Sequence, residues 1–307
     1  MARLTSILVF LIAFGISVPS QSSPEVARES LNRAPVKIPS ASQWDMRSVL
    51  NGHTYRIFVS TPHSSPPPGG FPVIYVLDGN AAFPVAALLA RNIESRAAVT
   101  GTIPPVVVGI GYPNDEDYDV SARKRDYTIG EKKADSSVDE GAADAFLDVL
   151  EKEIKPAITS AYPINVNRQA IFGHSFGGLL VLHALFTRTR SFTTYLASSP
   201  SIWWKKRMLL NELSAFKLAM SDQTAPSVQL SVGSLEDQVR PASPVGGPQT
   251  AVNTRPMVTE ARSLAFVLQP FPALKNRFHY YELADEDHGS SWLPAMSRGF
   301  RLFLSNQ

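Results

Sequence analysis

Gln169 to Thr187 contains three segments in a fixed order: the apolar run Gln-Ala-Ile-Phe, the turn Gly173-His174-Ser175-Phe176-Gly177-Gly178, and the apolar run Leu179 to Phe186. A strand-like segment, a G-x-S-x-G turn and a helix-forming stretch in that order leave the chain few folds. They put one serine on a sharp strand-to-helix turn, and the new helix aims the positive end of its dipole at the serine hydroxyl. A side chain at either glycine of the motif is expected to collide with neighbouring backbone. Ser175 is therefore the candidate nucleophile.

The rest of the chain agrees with an α/β layout. Thr54–Ser60 alternates like a half-buried strand, and Phe71–Leu77 and Pro105–Ile110 are continuous apolar runs of the kind buried on both faces. Asn80–Ala97 is expected to be helical. Tyr112–Asp135 is charged and is expected to stay out of the core. Ser137 and Glu140 form an S-x-x-E capping box before a helix that buries Ala143, Phe146, Leu147, Leu150 and Ile154, with Pro156 ending or kinking it. Further strands are predicted at Gln169–Phe172, Phe192–Ala197, Ser227–Val232 and Phe278–Leu283. Helices are predicted at Phe176–Thr187, Thr254–Leu268 and Ser290–Leu304, and the Pro/Gly-rich stretch Arg240–Pro248 interrupts the pattern. Alternating strands and helices indicate βαβ crossovers, hence a mostly parallel central sheet with helices on both faces.

A serine hydroxyl needs a base. Of six histidines, His53 and His63 precede the turn, His174 lies in it, His183 follows on the helix, and His279 lies within the last strand. His288 sits between the last strand and the last helix, where open α/β sheets present functional groups, and is the candidate base. The acid that orients it is open between Glu236 and Asp237, both at the end of strand 227–232, a carboxylate of 285–287, and no acid at all. Two N–H donors are needed to hold an oxyanion. Phe176 is expected to supply one, and the loop Asp78-Gly79-Asn80 the other, from Asn80 or else from Gly79 or Ala81.

The 29 basic and 27 acidic side chains leave a net charge of +2, which gives no electrostatic reason for binding nucleic acid or a membrane surface. The chain has no cysteine, so disulfides, thiolate metal sites and cysteine nucleophiles are excluded. Arg3, the apolar run Leu4 to Val18 and the small polar residues up to Ser23 read as a secretory signal over 1–22, with an uncleaved anchor as the alternative. A linker or edge strand is expected over 23–42 and one domain over 43–307. The expected location is exported, periplasmic or secreted. Two basic clusters, Arg123-Lys124-Arg125 and Lys205-Lys206-Arg207, are either solvated turns or a local positive field.

The set YVLDGN, RKRDYT, FGHSFGG, SSPSIWW, GSLEDQ and DHGSSWLPA resembles the esterase D-like family of α/β hydrolases, and within it the branch of periplasmic enterobactin and salmochelin trilactone esterases. The likeness runs from Trp44 to Leu304. It implies an α/β-hydrolase fold without a separate lid, a Ser–His pair with no metal or cofactor, and an acid three residues after the strand-ending glycine, which is Glu236. It brings the R-x-x-D-Y-T segment to the active site, here with Ile129 in place of the usual proline, and with it Arg125 as a substrate contact. Trp203 and Trp204 are implied to line or support the pocket, with plain core packing as the alternative. The expected activity is hydrolysis of a small-molecule ester through an acyl-enzyme, with a siderophore lactone as one substrate class. A thioesterase or S-acyl-glutathione hydrolase, an acetyl or feruloyl esterase, an acyltransferase and a non-catalytic binding module are the alternatives.

Overall fold

The apolar runs Phe71–Leu77 and Val106–Gly111 are buried at every position, as strands covered on both faces must be. In the computed structural model, which describes residues 34–130, 140–220, 225–238 and 255–305, they form the middle of an eight-stranded sheet. The strands are β1 (Ala41–Arg47), β2 (Thr54–Ser60), β3 (Phe71–Leu77), β4 (Val106–Gly111), β5 (Ile164–His174), β6 (Thr194–Ser198), β7 (Ser227–Gly233) and β8 (Phe278–Leu283). Their order is β1-β2-β4-β3-β5-β6-β7-β8. The β1–β2 and β2–β4 pairs are antiparallel and all the others are parallel. This is the mostly parallel α/β-hydrolase sheet.

The helices are α1 (Gly79–Ser95), α2 (Ala97–Thr100), α3 (Val120–Tyr127), α4 (Ala143–Val149), α5 (Lys155–Ala161), α6 (Phe176–Thr187), α7 (Trp204–Arg207), α8 (Leu213–Ala219), α9 (Met257–Leu268) and α10 (Trp292–Ser305). Side chains alternate along each strand, which splits the core in two. Ile74, Val76, Val107, Ala170, Phe172 and Leu196 pack with α1 and α10 on one face. Val73, Tyr75, Leu77, Val106, Val108, Ile110 and Ile171 pack on the other face with α4 and α6. From Gly177 to Phe186 every residue of α6 is buried, and all but His183 are apolar or glycine, so this helix lies within the domain. Its depth fixes the turn before it.

Several expectations need correction. Of the two outcomes expected of Pro156, ending the helix does not occur. A π-helical turn at Leu150–Ile154 absorbs the mismatch, and the proline falls in the first turn of α5, where a missing N–H costs little. The charged segment after Tyr112 does enter the core. Asp126, Tyr127, Thr128 and Ile129 are all buried, because the Asp126 carboxylate accepts from both Arg125 donors and from the Tyr112 hydroxyl. β1 starts at Ala41, two residues inside the segment read as linker or edge strand, and β5 starts five residues before the predicted Gln169. Residues Ile38–Gln307 form one compact unit. The segment 1–22, most of the linker, Ser137 and Arg240–Pro248 lie outside the described residues. Among the described residues, no helix is long and apolar enough to cross a membrane.

Candidate active site

Ser175 joins β5 to α6 with φ 59° and ψ −116°, a left-handed conformation that costs a non-glycine residue on the order of 1–3 kcal/mol. The surroundings hold it there. Its N–H donates to the Ser198 carbonyl at 3.0 Å, and its carbonyl accepts from the Ser201 and Leu179 N–H groups at 3.1 and 3.0 Å. A Cβ on Gly173 would lie 2.3 Å from the Gly177 carbonyl oxygen, and one on Gly178 would lie 2.7 Å from that of Ser198. Gly177 is different, since a Cβ there would meet only side-chain atoms, the nearest at 3.5 Å. The close approach thus belongs to Gly173 and Gly178, and the expected collision at Gly177 does not occur.

His288, in the loop after β8, has its Nε2 3.1 Å from Ser175 Oγ and its Nδ1 2.7 Å from Glu236 Oε2. A carboxylate can only accept, so Nδ1 carries the proton and Nε2 is left to accept from the serine hydroxyl. The Glu236 side chain has no solvent exposure, while that of His288 is 41% exposed, so the chain of groups runs from the interior to an open mouth. The second Glu236 oxygen accepts from the Gly233 N–H at 2.7 Å and the Ser199 hydroxyl at 2.5 Å. Ser199 Oγ lies 2.9 Å from Ser291 Oγ. Asp237 faces elsewhere and caps α9, accepting from the Val258 and Thr259 N–H groups at 2.8 and 3.0 Å. The His174 ring lies against His288 with centroids 4.6 Å apart. Burial, then the neighbouring His288 and Arg123, hold the His174 imidazole well below its ordinary pKa, so it packs there as a neutral ring.

The N–H groups of Phe176 and Asn80 open α6 and α1, where first-turn donors lack intrahelical partners. Neither has a protein acceptor among the described residues. The Asn80 side chain ties its loop to the exit of β4, donating to the Tyr112 and Asn114 carbonyls and accepting from the Tyr112 N–H at 2.9 Å. Gly79 lets α1 begin against β4, for a Cβ there would lie 2.8 Å from Ile110 N.

Trp203 and Trp204 pack around Phe176, with ring centroids 6.2 and 5.2 Å from its ring. Trp204 is buried and donates its indole N–H to the Ile129 carbonyl, while Trp203 is half-buried under the Arg255 guanidinium, 4.4 Å from its ring. Arg125 is not placed as expected. Its guanidinium forks onto Asp126 at 2.8 Å for both bonds, in the cluster with Tyr55 and Tyr112. Arg123 from the same helix reaches the site instead. It forks onto Asp78 at 2.5 and 3.0 Å and lies 5.9 Å from the Phe176 ring. Burial works against its charge, but the Asp78 carboxylate holds the Arg123 pKa above its ordinary value. Lys124, Lys205 and Arg207 of the two basic clusters are also engaged. Lys124 and Lys205 share Glu140 at 2.8 and 3.0 Å, and Arg207 meets Glu260 at 2.6 Å.

Sequence reasoning missed Ser199, Ser291 and the Asp78–Arg123 pair. Asp78 and Arg123 lie within motifs that were noticed, YVLDGN and RKRDYT, but pairing across 45 residues leaves no mark in local pattern.

The Esterase family model matches residues 48–301, most of the chain. The protein belongs to the Esterase family. This esterase is 37% identical over 289 residues to the siderophore triacetylfusarinine C esterase of Aspergillus fumigatus, an alignment covering 89% of this chain and 96% of that one. It is 40% identical over 208 residues to the ferri-bacillibactin esterase BesA of Bacillus subtilis, covering 65% of this chain and 72% of the relative. Among solved structures, the BES protein from Bacillus cereus superposes with a TM-score of 0.77 at 32% identity, over 89% of this esterase and 98% of that chain. The esterase is a hydrolase acting on ester bonds, and a serine mechanism fits its family.

Proposed function

We propose that this esterase cleaves a siderophore-type lactone ester by two-step acyl transfer, with Ser175 as nucleophile, His288 as base and Glu236 as acid. The observation that carries the mechanism is the continuous path from Ser175 Oγ to His288 Nε2 to Glu236, at 3.1 and 2.7 Å. His288 takes the Ser175 proton as Oγ attacks the carbonyl carbon, and Glu236 stabilises the resulting imidazolium. The N–H groups of Phe176 and Asn80 receive the negative charge on the carbonyl oxygen. In comparable sites the loss of one such donor costs about 3–4 kcal/mol of barrier. The tetrahedral adduct collapses as His288 returns the proton to the leaving alkoxide, and a water activated by the same imidazole then releases the acid.

The substrate class rests on relatives named for siderophore esters. The Phe176–Trp203–Trp204 wall, with Arg255 over Trp203, adds a surface suited to flat anionic groups. Most cations of the two basic clusters are spent on Asp78, Asp126, Glu140 and Glu260, so the local positive excess is smaller than the sequence suggests. With its fork on Asp126, Arg125 is expected to support α3, and Arg125→Ala should lower stability with little change in KM. Export is the reading that the N-terminal pattern Arg3 to Ser23 supports. The deciding measurement compares kcat/KM for a tris-catecholate trilactone, 4-nitrophenyl acetate and an S-acyl glutathione. The trilactone should exceed both others by at least ~10-fold, about 1.4 kcal/mol of transition-state binding. Equal values for the two oxygen esters would leave a general esterase, and a preference for the thioester would replace the substrate class.

A further inference from the structure

The carboxylate of Asp78 is an awkward neighbour for an oxyanion. Asp78 immediately precedes the Gly79–Asn80 donors, and a Cβ on Gly177, two residues after the nucleophile, would lie only 3.6 Å from Asp78 Oδ2. Its side chain is 5% exposed, so water screens its charge poorly. Left alone, that charge would oppose the negative charge forming on the substrate carbonyl. Asp78 also holds a left-handed backbone, φ 54° and ψ 48°, which a non-glycine residue keeps only when its surroundings fix it. Two groups fix it. The Tyr127 hydroxyl accepts from the Asp78 N–H at 3.3 Å, and the Arg123 guanidinium forks onto both carboxylate oxygens.

Arg123 is itself 11% exposed, enclosed by Tyr118, Tyr127 and Phe176, whose rings lie 5.2, 5.9 and 5.9 Å from its guanidinium carbon. Its planar fork matches the carboxylate in a way that a lysine could not. We infer that Arg123 is a positioning residue for the oxyanion site: it cancels the Asp78 charge and locks the turn that presents the Gly79 and Asn80 N–H groups, and it does not hold the substrate. This inference rests on the roles proposed above for Ser175 and the oxyanion donors.

A substrate contact and a positioning residue predict different kinetics. If Arg123 acts through Asp78, Arg123→Gln should lower kcat about 10²-fold, in line with loss of one oxyanion donor, while KM stays within about threefold. Removing the uncompensated charge should then restore activity, so D78N/R123Q should recover at least ~10-fold in kcat over R123Q. Arg123→Lys keeps the charge without the fork and should fall between R123Q and the native enzyme, again with little change in KM. The lysine variant and the double variant keep the test valid if R123Q alone does not fold, which thermal melts would reveal. A raised KM with native kcat in R123Q or R123K, or a double variant no faster than R123Q, overturns the inference. Fluorophosphonate labelling of the native enzyme keeps the two readings separate. Native enzyme still active with Ser175 labelled would sink the acyl-enzyme mechanism, whereas an inhibited native enzyme with an R123Q defect confined to KM would sink only this inference.

Discussion

Glu236 is fully enclosed, yet each of its oxygens has a donor, and that is what lets a carboxylate persist in the interior. Gly233 N–H and Ser199 occupy one oxygen and leave the other for His288, so the imidazole is held in one tautomer. Glu236→Gln offers an amide where the Nδ1–H needs an acceptor, and it should lower kcat at least ~10²-fold with little change in KM. Asp237→Asn should leave kcat within about threefold and cost about 0.5–2 kcal/mol of stability, because Asp237 caps α9. Steady-state kinetics and melts of the two variants check both statements. A larger kinetic loss in D237N than in E236Q would reverse the assignment. The residues alone leave the acid open among Glu236, Asp237, a carboxylate of 285–287 and none, and only the family resemblance singles out Glu236. Glu236 turns inward onto partners distant in sequence: Ser199, which donates to it, is 37 residues away, and Ser291, beside Ser199, is 92 residues from Ser199.

At the scale of elements, α6 follows directly on Ser175, the proposed nucleophile, and carries His183, which pairs with two carboxylates. His183, on α6, lies 2.8 Å from Glu212 and 3.4 Å from Asp144 of α4. Burial alone would lower its pKa, but the two carboxylates raise it to about 9. The unfolded value is about 6.5, so this contribution is fully present below about pH 6.5 and is lost as pH rises through about 9, a change on the order of 3 kcal/mol. Native enzyme should therefore lose melting temperature between pH 6.5 and 10, and His183→Gln should show a flatter profile over the same range. Parallel profiles would mean that the proton on His183 is not linked to folding. The α6 span was legible to the residue, because an apolar run between a glycine turn and a polar stretch has one reading. The π turn before Pro156 was not, since a proline inside a helical pattern reads equally as an end or a kink. Nor was the bend at Lys205–Arg207, three left-handed residues in succession, whose charges are set out by Glu140 and Glu260.

For the whole molecule, the parallel centre was legible because Phe71–Leu77 and Val106–Gly111 are too apolar to face water on either side. The strand order was not, and an edge strand is read no further than residue 42 while β1 runs over Ala41–Arg47, because an edge strand with one exposed face carries little hydrophobic signal. The site is likewise assembled at the C-terminal ends of strands far apart in sequence, with Asn80 after β3, Ser175 after β5, Glu236 after β7 and His288 after β8. Sequence could nominate each of these residues, and only the fold brings Ser175 and His288 together across 113 positions. The most direct test of that assembly is stoichiometric labelling with a fluorophosphonate, followed by peptide mass spectrometry and residual ester hydrolysis. One adduct per chain on the Ser175 peptide is expected, with activity lost in proportion and labelling slowed at least ~10³-fold in His288→Ala. Full hydrolysis by enzyme whose Ser175 is completely modified, or inactivation through an adduct on another residue, would contradict it.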